Sequence, residues 1–274
     1  METWVTENQT KNMRLSLRIK KILHHEQTEF QELFVVDTYE YGHMLVLDGA
    51  IQTTEQDEFV YHELISHVPL FAHPHPERVC VIGGGDGGTV REVLKHPSVK
   101  EIVHVEIDGA VIEASKKWLP TISCALDDPR VTTLVKDGLV HIREAENEYD
   151  VIIIDSSDPV GPGVQLFEVP FYRDCYKALR ENGLMVAQTE SPWSNKDLVA
   201  RTFRNMGSVF PVTKIYLGNV PTYPSGLWSF TCGSKGPDPA AAPESVSFET
   251  KYYTPQVHQA AFALPRFVQD LLED

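Results

Sequence analysis

The chain is short of positive charge and of cysteine, and no apolar run in it reaches the length of a membrane span. Its 24 Lys and Arg face 39 Asp and Glu, a formal charge of -15 at pH 7. That sign repels nucleic acid and anionic lipid, so neither is an expected partner. It is compatible with a polycationic substrate, and equally with simple solubility. Cys80, Cys124, Cys175 and Cys232 lie far apart, two of them in strand-like segments. They read as free thiols of a cytoplasmic protein, not as a disulfide framework. Met1-Glu2-Thr3-Trp4 is acidic and polar, unlike a secretory signal. The histidines show no ligand spacing with nearby cysteines or acids, so no metal is expected.

What remains is a soluble globular composition, 42% apolar over 274 residues, enough for one large core and a smaller one. Residues 1–55 read as a β domain. Leu15 to Ile19 alternates, and 30–36 and 43–47 are β-rich runs broken by Tyr41-Gly42 and Asp48-Gly49. Residues 56–274 form the second domain. A helix is predicted over 56–71, stopping near Pro74 and Pro76. Strands are then predicted at 78–83, 101–106, 131–135, 149–155 and 183–189. They alternate with helices at 87–95, 109–118, 138–145, 168–180 and 195–207. That rhythm implies a parallel sheet with helices on both faces. Segments 212–218 and 227–233 have no helical pattern between them and predict an antiparallel pair at one edge. A Pro/Ala-rich loop at 236–243 and a helix near 264–272 complete the chain.

The predicted strand ends carry acids. Val79 to Ile82 leads into Gly83-Gly84-Gly85-Asp86-Gly87-Gly88; Glu106-Ile107-Asp108, Asp137-Gly138 and Asp155-Ser156-Ser157-Asp158 follow at later strand ends. In an open parallel sheet these ends line one crevice, where ligands bind. The glycines let backbone N–H groups approach a ligand, and Glu106 would accept from ribose hydroxyls. Asp86 would repel a pyrophosphate or an α-carboxylate and favour a nucleoside whose tail ends in an ammonium. It could also cap the following helix, and the two roles can coexist. Asp155 and Asp158 could hold a diammonium and take a proton from it, although Ser-Ser-Asp-Pro also suits an Asx-turn with a cap. His62, on the helix before the sheet, could hydrogen-bond an amine when neutral or be an ordinary interior histidine.

Several of these segments resemble the signature of the spermidine synthase family, in its bacterial, Bacillus-type form. They are Leu47 to Thr54, Asp57 to Glu63, Gly83 to Gly88, Val105 to Asp108, Asp155 to Pro162 and Val220 to Gly226, and in order they span nearly the whole chain. The resemblance implies a small N-terminal antiparallel β domain before a Rossmann-like, methyltransferase-type doubly wound sheet, assembled as a homodimer or homotetramer. It implies transfer of an aminopropyl group from decarboxylated S-adenosylmethionine to putrescine, giving spermidine and methylthioadenosine. No metal or cofactor is implied; the nucleoside is a co-substrate. Gln31, Glu106, Asp137, Gly138 and Pro162 would hold the nucleoside, with Gly83 and Gly85 beside it. Asp86 would take the aminopropyl ammonium. Tyr61, His62, Asp158, Gln188 and Tyr223 would line the amine channel, and Asp155 would accept the proton. Some relatives carry Gln at the position of His62. The competing readings are an S-adenosylmethionine-dependent amine methyltransferase and a non-catalytic nucleoside- or polyamine-binding protein.

Overall fold

Five strands open the chain: β1 (Thr3–Thr10), β2 (Met13–Gln27), β3 (Glu32–Thr38), β4 (His43–Leu47) and β5 (Ala50–Thr54). They form one antiparallel sheet in chain order. The structure is a computed structural model that describes residues 2–157 and 161–273. Alternation along β3 and β4 gives this sheet two apolar faces. Leu33, Val35, Leu45 and Leu47 pack on Val111, Ala114, Leu119 and Ile122 of the second domain. Val36, Met44 and Val46 point the other way, to Ile19 and Ile51.

Helix α1 (Glu58–Ala72) links the two sheets and is buried along nearly its whole length. It runs through Pro69 and ends just short of Pro74. Then come β6 (Arg78–Gly83), α2 (Gly88–Leu94), β7 (Glu101–Glu106), α3 (Gly109–Trp118), α4 (Pro120–Ser123), β8 (Val131–Val135), α5 (Gly138–Glu144) and β9 (Tyr149–Asp155). A 3-10 turn (Gly161–Phe167) leads to α6 (Val169–Ala178), β10 (Leu179–Gln188), α7 (Lys196–Gly207), β11 (Val212–Asn219), β12 (Leu227–Ser234), α8 (Pro255–Ala261) and α9 (Arg266–Glu273).

The second sheet has the order β11-β12-β10-β9-β6-β7-β8. Its pairs from β10 to β8 are parallel, whereas β12 runs antiparallel to both β10 and β11. The period of two along the central strands splits their side chains between two cores. Val79, Val81, Val151 and Ile153 meet Leu64, Ile65 and Val68 of α1. Cys80, Ile82, Ile152 and Ile154 meet Ile142, Phe171, Tyr172 and Cys175 from α5 and α6. This is the expected α/β, methyltransferase-like doubly wound architecture, preceded by an antiparallel β sheet. β10 starts at Leu179, four residues before the predicted strand, because Leu179 already pairs with Tyr149 of β9, ahead of a break in register that separates it from the main run at Leu184. Helices α4 and α8 and strand β1 had not been predicted. The four cysteines are free, with only Cys124 exposed.

The strand order reverses at β6. Its chain successor β7 lies on one side and β9 on the other, with Gly83 paired to Asp155 at the carboxyl ends. A crevice opens at such a reversal, and it is where ligands bind in open α/β sheets.

Candidate active site

The Gly-rich turn is shaped by what lies behind it. Gly83 has φ of +80°, and a side chain there would run into the Asp155 carbonyl. At Gly84 (φ +66°) a Cβ would sit 2.6 Å from Oδ2 of Asp155. Only glycine holds this backbone conformation without strain and lets the turn lie against β9. The Gly84 N–H donates to the Asp155 carbonyl at 2.8 Å, locking turn and strand together.

Asp155 is therefore fixed at the last position of β9, and each of its carboxyl oxygens has one donor. Tyr61 Oη donates to Oδ1 at 2.7 Å, and Thr89 Oγ1 donates to Oδ2 at 2.6 Å. Burial pushes the Asp155 carboxyl up, and the charge of Asp86 adds to that; His62, Thr89 and Tyr61 pull the other way without cancelling it. A buried carboxyl at a crevice, raised above its ordinary range, is a candidate for proton exchange.

Of the two roles expected of Asp86, the structure shows the backbone contact at the start of α2. Its Oδ1 accepts from the Gly88 N–H at 2.7 Å, at the start of α2, and faces His62 Nε2 at 3.3 Å. Although burial opposes it, His62 and then Gly88 hold Asp86 below its ordinary value. Of the two readings open for His62, the structure shows the interior histidine with its ring nitrogens engaged, not an imidazole free to meet an amine. Both ring nitrogens face carboxylates, Glu58 Oε2 at 2.6 Å and Asp86 at 3.3 Å. Burial would push the imidazole down, but the two acids override it and hold it well above its usual range. His62 is an imidazolium wedged between acids.

Glu106 lies at the end of β7, buried, with Oε1 accepting from the Asp108 N–H at 2.9 Å. Burial raises its carboxyl to about 7. Its Oε2 lies close behind Gly85, 3.0 Å from where a Cβ would be. Gln31, in the connection between β2 and β3, donates to Asp108 Oδ2 at 2.9 Å, so the N-terminal domain reaches the end of β7. Asp108 is also the cap of α3, accepting from Ala110 N–H.

The remaining expected residues are engaged in the frame. Asp137 caps α5 through Leu139 N–H at 2.8 Å, and Gly138 abuts Ile82 so closely that no side chain fits. Gln188 donates to the Ser156 carbonyl at 3.1 Å and accepts from Glu190 N–H at 3.0 Å. Tyr223 donates to the Gln52 carbonyl at 2.8 Å, and its ring lies 5.7 Å from that of Tyr61. Asp158 falls outside the described residues. Pro162 lies in the 3-10 turn. The direct contacts thus join Tyr61, His62, Asp86 and Asp155 into one cluster; Glu106 flanks it behind the glycines. Sequence reasoning missed Glu58, Thr89 and Arg91. Glu58 stands four residues before His62, a spacing that puts both on one helix face. Arg91 donates to Glu58 Oε2 at 2.7 Å.

Fold and site together define an α/β, methyltransferase-like scaffold with an acid-lined crevice at the strand-order reversal. The spermine/spermidine synthase domain matches residues 58–242, and the spermidine synthase tetramerisation domain matches residues 3–55. The chain belongs to the spermine/spermidine synthase family. It is 58% identical to the polyamine aminopropyltransferase of Bacillus mycoides, with all of both chains covered. It is 57% identical to that of Bacillus subtilis, over 99% of each. A crystal structure of a spermidine synthase in complex with the transition-state analogue AdoDATO superposes with a TM-score of 0.97 at 45% identity, covering 99% of this chain and 95% of that one. The spermidine synthase of Thermotoga maritima superposes at 0.95 with 44% identity, over 99% and 94%.

Proposed function

We propose that aminopropyl transfer runs in the crevice between β6 and β9, with Asp155 as the proton acceptor. The protein is a polyamine aminopropyltransferase. The substrates that fit the site are decarboxylated S-adenosylmethionine and putrescine, and the products are spermidine and methylthioadenosine. The observation that carries this reading is Asp155 itself, a buried carboxylate held by Tyr61 and Thr89 beside a second acid, Asp86.

The chemistry asks little else of the protein. The amine nitrogen attacks the methylene next to the sulfonium. The carbon–sulfur bond breaks, and its electron pair stays on sulfur as the neutral thioether. The nitrogen gives up a proton to Asp155. An alkylammonium has a pKa near that of lysine, about 10, so deprotonation must be assisted at the moment of attack. Because the sulfonium already activates the carbon, this route calls for no metal and no cofactor. The enzyme's task is alignment and proton removal.

In this reading Glu106 accepts from the ribose hydroxyls, with Gln31, Asp137, Gly138 and Pro162 around the nucleoside and Gly83 and Gly85 giving it room. Asp86 takes the tail ammonium. Tyr61, Tyr223 and Gln188 line the amine path; Asp158, expected beside them, lies outside the described residues. A homodimer or homotetramer suits the match to a tetramerisation domain, and the cytoplasm suits the free thiols. Among the described residues no helix is long and apolar enough to cross a membrane.

One assay tests the reading. The protein is incubated with putrescine and either decarboxylated or intact S-adenosylmethionine. Release of methylthioadenosine with spermidine is expected from the first and nothing from the second. S-adenosylhomocysteine from the second would establish a methyltransferase, and binding without product a non-catalytic protein.

A further inference from the structure

Behind Asp86 the charges alternate in sign through two helices. Glu58, in the first turn of α1, is buried, and its Oε2 meets both His62 Nδ1 at 2.6 Å and Arg91 Nη2 at 2.7 Å. Arg91 is itself clamped on α2. Its Nε donates to Glu92 Oε1 at 2.9 Å and its Nη1 to the Thr121 carbonyl at 3.1 Å. His62 then passes its other nitrogen to Asp86 Oδ1, where the Gly88 N–H also lands. The series runs cation, anion, cation, anion: Arg91, Glu58, His62, Asp86.

We propose that Glu58 and Arg91 are positioning residues for the transfer, acting through His62: they keep it an imidazolium, which lets Asp86 and Asp155 carry negative charge side by side. This rests on the reaction assigned above. Two buried carboxylates sharing one site do not both ionise without compensation. Here Asp86 pushes Asp155 up and His62 pulls it down. His62 is faced by Glu58 and Tyr61 from α1, by Asp86 from the Gly-rich turn and by Asp155 from β9, with Arg91 of α2 reaching it through Glu58. Without Glu58 the imidazole gives up its proton at a lower pH. The two acids then compete for one proton, the tail ammonium loses part of its counterion, and the base is blocked until the pH is higher.

The test compares wild type with Glu58→Gln, which keeps the shape and removes the charge. The titration of His62 is read by NMR on isotope-labelled histidine, without substrate. The pH dependence of kcat/KM for decarboxylated S-adenosylmethionine is read in parallel, with methylthioadenosine affinity as control. In the variant, the His62 titration is expected to fall by about one unit or more, on the scale of a lost neighbouring charge. Activity at neutral pH drops about tenfold, recovers toward wild type as the pH rises, and methylthioadenosine, which has no ammonium, binds as before. In a His62→Gln background, adding Glu58→Gln changes activity by less than about twofold, since coupled residues are not additive. An unmoved His62 titration overturns the proposal. So does a loss of equal size at every pH, or a full additional loss in the His62→Gln background. If the wild type releases no methylthioadenosine, the assigned reaction fails, while the substrate-free titration still decides the relay.

Discussion

Tyr61 and Asp155 meet across 2.7 Å although 94 residues separate them, the phenol on α1 donating to the carboxylate that ends β9. The contact ties the proposed base to the helix that links the two sheets. It also sets the base's strength, because a donor to the ionised form lowers the pH at which the carboxyl gives up its proton. Thr89 does the same from α2.

Tyr61→Phe removes one of these donors and nothing else of the ring. A hydrogen bond to a charged group contributes about 1.5–3 kcal/mol, so turnover at neutral pH should fall roughly tenfold or more. The acidic limb of the pH–rate profile should move upward, since Asp155 is already raised and loses a group that lowers it. Asp155→Asn should cost about a hundredfold or more in turnover while methylthioadenosine still binds, on the scale of a lost general base. Steady-state kinetics with both substrates checks the pair. A Phe variant with the wild-type profile would detach Tyr61 from the proton step.

Asp86→Asn should weaken decarboxylated S-adenosylmethionine about tenfold or more and narrow its advantage over the intact form. The amide neither attracts the tail ammonium nor repels the α-carboxylate. Its oxygen can still accept from Gly88 N–H, so α2 should keep its cap. Calorimetric affinities for both nucleosides, before and after the change, decide whether the carboxylate is more than that cap.

Glu106 should make nucleoside binding and stability respond to pH in opposite directions. Burial raises its carboxyl from the ordinary range to about 7. In the folded protein it therefore holds a proton that the unfolded chain releases nearer 4.5. Its contribution to stability is complete below that lower value and is lost as the pH rises through about 7, amounting to about 3 kcal/mol. Ribose hydroxyls, however, donate best to the ionised form, so methylthioadenosine affinity should climb over the same interval. Glu106→Gln should flatten both curves, raise the stability of the ligand-free protein above pH 7 and weaken methylthioadenosine about tenfold. Denaturant titrations and calorimetry from about pH 4 to about pH 8, spanning the interval between the two values, test it. Affinity independent of pH in the wild type would place the ribose elsewhere.

Glu63 offers a test of the frame rather than of the chemistry. Buried on α1, it accepts the N–H groups of Lys251 at 2.7 Å, Tyr252 at 2.8 Å and Tyr253 at 2.7 Å. Glu63→Gln turns one acceptor into a donor aimed at donors. A loss of about 2–3 kcal/mol is expected in chemical denaturation at fixed protein concentration. A change within error would mean the C-terminal segment is held by its aromatic packing alone.

The central sheet was legible because its strands are short β-branched runs, three of which end in glycine or an acid: Gly83, Glu106 and Asp155. Strands β6 to β9 fell at the predicted positions for that reason. Strand β1, Thr-Trp-Val-Thr-Glu-Asn-Gln-Thr, was not legible: it buries little on either face and owes its form to β2. Pro69 would ordinarily end a helix, but α1 continues to Ala72. Helix α8 had a readable start in Thr254-Pro255, a cap followed by a first-turn proline, yet is only seven residues long. In the site, the acids were visible as strand-end clusters. Their partners were not. Thr89 and Arg91 reach Asp155 and Glu58 across 66 and 33 residues, and pairing at such distances is set by topology, not by local pattern.

The clasp of Glu63 on residues 251–253 spans up to 190 residues, and Asp57 is likewise bound by Thr222 from 165 residues away. Domains fold as units while the chain is still being made, N-terminal parts first. The N-terminal sheet can form early on the ribosome. The helix that carries Tyr61 and His62 packs on β6 and β9, but it gains these two clasps only once residues 222 and 251–253 have emerged. A chain cut before residue 222 therefore keeps the acids of the crevice, and Thr89 on Asp155, but lacks both distant clasps of the helix that brings Tyr61 to that carboxylate.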